Sequence, residues 1–207
     1  MKIKNQQGQT IIEAIVAIAI ISIALVGFLS QSTYNYVAST DVYNRNIALN
    51  LAREGIEVIR GVRDSNWLAG CPDPDKPGCY YWDTGLTDGK GKYLTVDYDG
   101  SAGGWTIQFT NENFDQCVAS EKCLLYINSA GFYTTNSAGT EPTKFFRQTE
   151  LKPICQTATA CGGDGICDFG QSCPIKQIGI RVISGVRWQQ GQDWRHVELD
   201  DDLYNWR

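Results

Sequence analysis

The residues of this chain best suited to chemistry are its eight cysteines and its single histidine. The cysteines fall as Cys71 and Cys79, Cys117 and Cys123, and a run of Cys155, Cys161, Cys167 and Cys173. Cysteine sulfurs can attack, bind metal or oxidise in pairs, and spacing helps to choose among these. An even set at regular separations reads as a disulfide framework in an oxidising compartment. Zinc knuckles place about two to four residues between ligands, tighter than the C-x5-C and C-x7-C separations here. A catalytic cysteine needs a free, activated thiolate, which an even and evenly spaced set does not offer. The cysteines therefore point to disulfides, with the pairing left open, and place the chain after residue 70 outside the cytoplasm.

Other candidates for chemistry fall away in turn. His196 lies in a strand-like run with Glu198 on its own face and Val197 and Leu199 opposite, the pattern of a solvated strand histidine. "DPDKPGCYYWDT" begins like a calcium loop, but Pro77 takes the fifth position and Thr84 the twelfth, so the pattern fails. Asp164 and Asp168 read as solvated turn residues. No G-x-S-x-G, H-E-x-x-H, phosphate-loop or dinucleotide pattern occurs. No catalytic residue, no metal and no cofactor is expected. The net charge of −5 argues against nucleic acid as a partner, because phosphate binding needs clustered Lys and Arg.

One acid remains unexplained. Glu13 interrupts the apolar run from Ile11 to Leu29, shortly after Lys2, Lys4 and Gly8. Read as a helix, that run covers about 28 Å, close to the hydrocarbon thickness of a bilayer. It is too long for the apolar core of a secretory signal, and no small-residue cleavage site comes after it. Lys2 and Lys4 place the N-terminus in the cytoplasm and export the chain beyond the span. A charged side chain inside hydrocarbon is costly, so Glu13 demands a partner.

The helix is expected to continue past the membrane. Ala48, Leu51, Ala52, Gly55, Ile59 and Val62 recur on one helical face. No proline precedes Pro72, so nothing forces a break between Gln9 and about Arg63. Arg60 and Arg63 suit a last turn, and Asp64, Ser65 and Asn66 read as its stop. Beyond Trp67 the texture changes to short runs rich in β-branched and aromatic residues: "KYLTVDY", "GWTIQFT", "CLLYINS", "KFFRQTEL", "KQIGIRVIS" and "DWRHVELD". "QQGQ" at 189–192 predicts a hairpin turn. A long helix leading into an antiparallel sheet is an α+β plan. "CQTATACGGDGICDFGQSC" has too few large apolar residues for a core and would rely on disulfides.

"GQTIIEAIVAIAI" resembles the N-terminus of type IV prepilins and pseudopilins. In that family a short basic leader ends in Gly and precedes a motif close to F-T-L-I-E on a long apolar helix. Gly8 matches the residue before the cut, Thr10 the second mature residue, Ile12 the fourth and Glu13 the fifth. Gln9 stands where the family usually has Phe. The resemblance implies cleavage between Gly8 and Gln9 by a prepilin peptidase, and N-methylation of Gln9. It also implies assembly through Glu13 and Thr10, with the Glu13 carboxylate pairing with the N-terminal amine of a neighbouring subunit.

The chain thus divides into four regions: residues 1–8 as leader, 9–30 as the membrane and assembly half of the helix, 31–66 as its amphipathic half, and 67–207 as an extracytoplasmic disulfide-rich β head. The partners implied are other pilin or pseudopilin subunits, the peptidase, the inner-membrane assembly platform and, before assembly, membrane lipid. "NLAREGIEVIRGVRDSNW" further resembles the stalk of minor pilins and minor pseudopilins. Pilus, secretion and competence systems are not separated by these residues. A membrane-anchored binding module that never polymerises is the other class they allow.

Overall fold

The computed structural model describes residues 7–70, 81–86, 92–99, 104–138, 140–157, 161, 163–168, 171 and 173–205. Cys71 and Cys79 and most of the rejected calcium loop lie outside them. The chain divides into two compact units, residues 1–44 and 45–207. A single helix, α1 (Gln7–Ala69), contributes to both.

In the first unit every residue from 11 to 39 is exposed, including Ile11, Ile18, Ile23 and Phe28. Gly27 and Ser30 sit inside the unbroken helix. Its hydroxyls turn inward on the backbone: Ser22 donates to the Ile18 carbonyl, Thr33 to Leu29 and Thr40 to Tyr36, each four residues back. That arrangement lets a polar side chain ride an apolar helix without presenting an unpaired hydroxyl.

In the second unit, α1 from residue 45 onward lies against a seven-stranded antiparallel sheet. The strands are β1 (Tyr93–Asp99), β2 (Gly104–Thr110), β3 (Leu124–Ile127), β4 (Tyr133–Thr134), β5 (Glu141–Cys155), β6 (Gln177–Gln190) and β7 (Asp193–Tyr204). Strand β5 is the spine of the sheet. One of its edges pairs with β6, which pairs onward with β7. The other is shared, β3 pairing with its first half and β1 with Thr149 and Glu150. A short helix, α2 (Phe114–Ala119), joins β2 to β3. The β6–β7 turn is Gly191-Gln192, flanked by the pair Gln190 and Asp193, and Gly191 has a φ of 64° that suits glycine. The expected α+β plan and hairpin are observed.

The expected helix face is buried: Ala48, Leu51, Ala52, Gly55 and Ile59, with Val62 half-buried and Ile56 and Val58 added. Two apolar clusters flank this face. Ile56, Val58 and Ile59 pack with Leu94, Val96, Leu151, Ile180, Val182 and Leu203. Ala48, Leu51 and Ala52 pack with Leu125, Phe145, Val186, Trp188 and Val197.

Gly55 marks the closest approach of helix to sheet. A Cβ there would lie 2.6 Å from Ser184 Oγ and 3.2 Å from Thr149 Oγ1. Arg147 crosses the same interface almost fully buried. It donates to Glu54 at 2.5 Å, to the Leu51 carbonyl at 3.2 Å and to the Val96 carbonyl at 2.6 Å.

The helix end departs from expectation. It runs on to Ala69, so Arg60 and Arg63 are not in its last turn. Asn66 does not stop the helix, because its amide reaches sideways to the carbonyls of Trp82 and Thr84. Arg63 pairs with Asp64 and lies over the Trp67 ring, and Arg60 pairs with Glu57 and Asp201. These side-chain partners displace the dipole role that the sequence suggested.

Three disulfides are present among the described residues: Cys117–Cys123, Cys155–Cys173 and Cys161–Cys167. The last two lie at the end of β5 and in the segment between β5 and β6, where the four sulfur-bearing side chains form a small cluster of their own. The sulfurs of Cys155, Cys161 and Cys167 lie within 4.8 Å of one another, near enough for a soft metal. Each is already oxidised into a disulfide and so has no thiolate to offer. The loop is also tied by its backbone, with Cys155 N–H donating to Gly165 and Cys167 N–H to Pro153.

Candidate functional site: the N-terminal assembly segment

The segment singled out by sequence is the start of α1. Helix residues from Gln7 include Gly8, Gln9 and Thr10, whose side chains lie outside the described residues. The peptide between Gly8 and Gln9 lies within the described part of α1.

Glu13 lies four residues beyond Gln9, about one turn and about 6 Å along the axis. The two lie on one side of the helix, and the Glu13 side chain is exposed. Among the described residues Glu13 has no ion-pair or hydrogen-bond partner, and it is flanked by the exposed side chains of Ile11, Ile12, Ile15 and Val16. An acid so placed has no compensation among the described residues. Cutting after Gly8 would leave it near the positive pole of the helix dipole, where a carboxylate is favoured.

The described side chains nearest to it are apolar. Among the described residues one helix is long and apolar enough to cross a membrane. Tyr34, Tyr36 and Tyr43 come after the apolar run and are exposed. Such amphipathic rings suit a membrane–water boundary, a signal present in the sequence that the run of Ile and Leu overshadowed. His196 is exposed on β7 across from Arg187, next to buried Val197, as a solvated strand histidine should be. Nothing gathers it with the N-terminal residues.

Residues 3–29 match a family described as the prokaryotic N-terminal methylation motif. No curated protein and no solved structure matches the chain. Such a motif goes generally with processing by a prepilin peptidase and assembly with other pilin subunits, and it suggests a structural role. The apolar N-terminal helix fits a membrane-anchored, surface-assembled protein. The match, on a helix left bare over residues 11–39, supports assignment of the chain to the type IV prepilin and pseudopilin family.

Proposed function

We propose that the chain is a minor structural subunit of a type IV pilus or a related pseudopilus. Lys2 and Lys4 hold the leader in the cytoplasm, and the peptidase cuts between Gly8 and Gln9. Gln9 becomes the new N-terminus and is methylated. The apolar half of α1 rests in lipid until the inner-membrane assembly platform moves it into a filament core, with the head outside the cytoplasm. Thr10 and Glu13 then contact the neighbouring subunit, whose N-terminal amine pairs with the Glu13 carboxylate. A pair formed away from water is stronger than a surface ion pair and penalises misregister, because a misplaced charge stays buried and alone.

The observation that carries this reading is an acid without a partner among the described residues, on an uncovered apolar helix within the methylation motif. A type II secretion or competence pseudopilin fits the same motif. A non-polymerising anchored binding module shares the exported head but not the need for cleavage.

Mass spectrometry of the native protein separates these. The assembled subunit starts at Gln9 with one added methyl group. A mature protein that keeps Met1–Gly8 in cells with an active peptidase would falsify the proposal. Glu13→Val tests the pairing: membrane insertion is retained and incorporation into filaments falls, and normal incorporation would show that the carboxylate is not needed.

A further inference from the structure

The two faces of the sheet are covered differently, and the one turned away from α1 keeps a cavity. At Ser184 the sheet meets α1, because a Cβ on Gly55 would lie 2.6 Å from Ser184 Oγ. Gly185, the next residue, points the other way, and a Cβ there would lie 2.9 Å from the Phe114 ring of α2. Helix α2 therefore lies on the face opposite α1. Alternation puts Arg187 on that face too. The register places Phe146 of β5 and His196 of β7 beside it, with Trp194 two residues from His196 on the same side. The Phe146 and Trp194 rings do meet there, at 5.7 Å between centroids.

Arg187, Trp194 and His196 form one side of a cavity of about 440 Å³, and Asp115, Val118 and Ala119 of α2 form the other. That volume is within the range of small-molecule sites, roughly 300–1,000 Å³. The main groups are held in place before any ligand arrives. The Arg187 guanidinium lies over the Phe114 ring at 4.4 Å, and its Nη1 pairs with Asp115 Oδ1. Its Nε and Nη2 donors and the Asp115 Oδ2 acceptor have no partner among the described residues. Trp194 is 50% exposed, although Phe146 already supports one side of it. Arg195 borders the cavity from the hairpin end, so the lining carries two guanidinium groups against one carboxylate. This is a locally positive corner on a chain whose net charge is −5. Glu198, further along the same face of β7, lines a separate cavity.

An indole plate beside a surplus of cationic donors suits a ring that carries its own negative charge. A pyranose has an apolar C–H face that lies on an aromatic ring. A carboxylate on that pyranose meets the guanidinium in a charge-assisted hydrogen bond. Its hydroxyls both donate and accept, and so match the Asp115 oxygen and the His196 imidazole together. A neutral sugar would leave the positive surplus unanswered. Nucleic acid would need cations arrayed along a backbone, which one corner does not supply. We propose that this cavity binds an acidic sugar, a pyranose bearing a carboxylate. The ring stacks on Trp194, the carboxylate meets Arg187, and the hydroxyls bond to His196 and Asp115. The site lies wholly within the head and does not depend on polymerisation, so an anchored module would carry it too.

The test uses the full chain in lauryldimethylamine oxide micelles, since sugar-headed detergents would compete. Trigalacturonate and 3′-sialyllactose, each to about 10 mM, are titrated by calorimetry and distinguish a uronic from a sialic acid. Their neutral counterparts, the trigalacturonate methyl ester and lactose, remove the charge, and benzoate keeps the charge but has no hydroxyls. At least one acidic sugar should bind, about tenfold or more tighter than its neutral counterpart. Its affinity should fall about tenfold or more in both Trp194→Ala and Arg187→Gln. Trp105→Ala, which removes an exposed tryptophan beside α1, should bind as the parent does. Trp194 is half exposed, so its variant decides the matter even if Arg187→Gln disturbs α2. Absence of binding by both acidic sugars would overturn the proposal. So would a neutral counterpart or benzoate binding as tightly, or binding that survives Trp194→Ala.

Discussion

The two halves of α1 share one backbone and differ in what covers them. From residue 11 to 39 every side chain is exposed, and the large apolar ones stand on all sides. From Ala48 to Ile59 one face is buried against the sheet, while Arg53 and Glu57 on the other face remain in solvent. Burying a large apolar side chain contributes roughly 1.5–3 kcal/mol, so the first half leaves a large gain unclaimed within its own chain. Lipid or other helices can supply it. The second half has already collected its share and can fix a head. Charge obeys the same division: Glu54 meets Arg147, whereas Glu13 meets no cation among the described residues.

The same deletion made in both halves gives the largest expected contrast. Ile59→Ala removes a side chain that is fully buried in the cluster with Leu94, Val182 and Leu203. It should lower head stability by about 4 kcal/mol in denaturant unfolding of the full chain. Ile18→Ala removes a side chain that is 65% exposed and should leave head unfolding unchanged. Equal losses at the two sites would mean that the apolar half is covered within the chain after all.

Arg147→Ala ranks next. It leaves Glu54 without its cation and the carbonyls of Leu51 and Val96 without their donor. Removing one partner of a buried pair costs about 3 kcal/mol or more, although Glu54 is partly exposed and can recover some hydration. Chemical denaturation reads the loss. Glu13→Ala, by contrast, should not move head unfolding at all, since its partner is proposed to lie on another subunit.

Much of this division was legible in the sequence, for a physical reason. Unbroken apolarity from Ile11 to Leu29 and the return at Ala48, Leu51, Ala52, Gly55 and Ile59 each satisfy a helical period over several turns. Local pattern and final burial therefore agree. Six strands were visible for the same reason. The ends were not. β5 extends over Pro142 and Pro153, which read as breakers. Each has a β-strand partner on one side only, Tyr126 for Pro142 and Ile180 for Pro153, so the missing N–H interrupts no central ladder. Helix α2 was overlooked although Asn113 and Gln116 form a reciprocal capping box, since a helix this short has too little period to read. The cavity beside Trp194 was invisible because its walls are distant in sequence.

Glycine gives a smaller version of the contrast. Gly27 has nothing within 4 Å of a built Cβ, so Gly27→Ala should add only the better helix propensity, about 1 kcal/mol at most. Gly55→Ala gains the same propensity but drives a methyl into Ser184 and Thr149. The net effect should be a loss of about 1 kcal/mol in head stability, and Gly55→Ala combined with Ser184→Gly should recover part of it. A Gly55→Ala protein as stable as the parent would mean that helix and sheet are less closely packed than these distances indicate.

The smallest effect concerns pH and the head's own charges. Arg181 donates to both oxygens of Asp202, at 2.7 and 2.8 Å, across the paired strands β6 and β7. These hydrogen bonds hold the Asp202 carboxyl below its usual range, against the opposing pull of partial burial. A group whose folded pKa is depressed adds stability above its unfolded pKa, near 3.9 for Asp, and that stability fades as pH falls through the lower folded value. Asp202→Asn should therefore be less stable than the parent at neutral pH, by about 1 kcal/mol or less given the pair's partial exposure. The difference should shrink steadily below about pH 4, where the parent's carboxylate begins to take up its proton. A gap that stays constant down to strongly acidic pH would show that Asp202 acts through packing or neutral hydrogen bonds, and that its charge is not part of what holds β6 to β7.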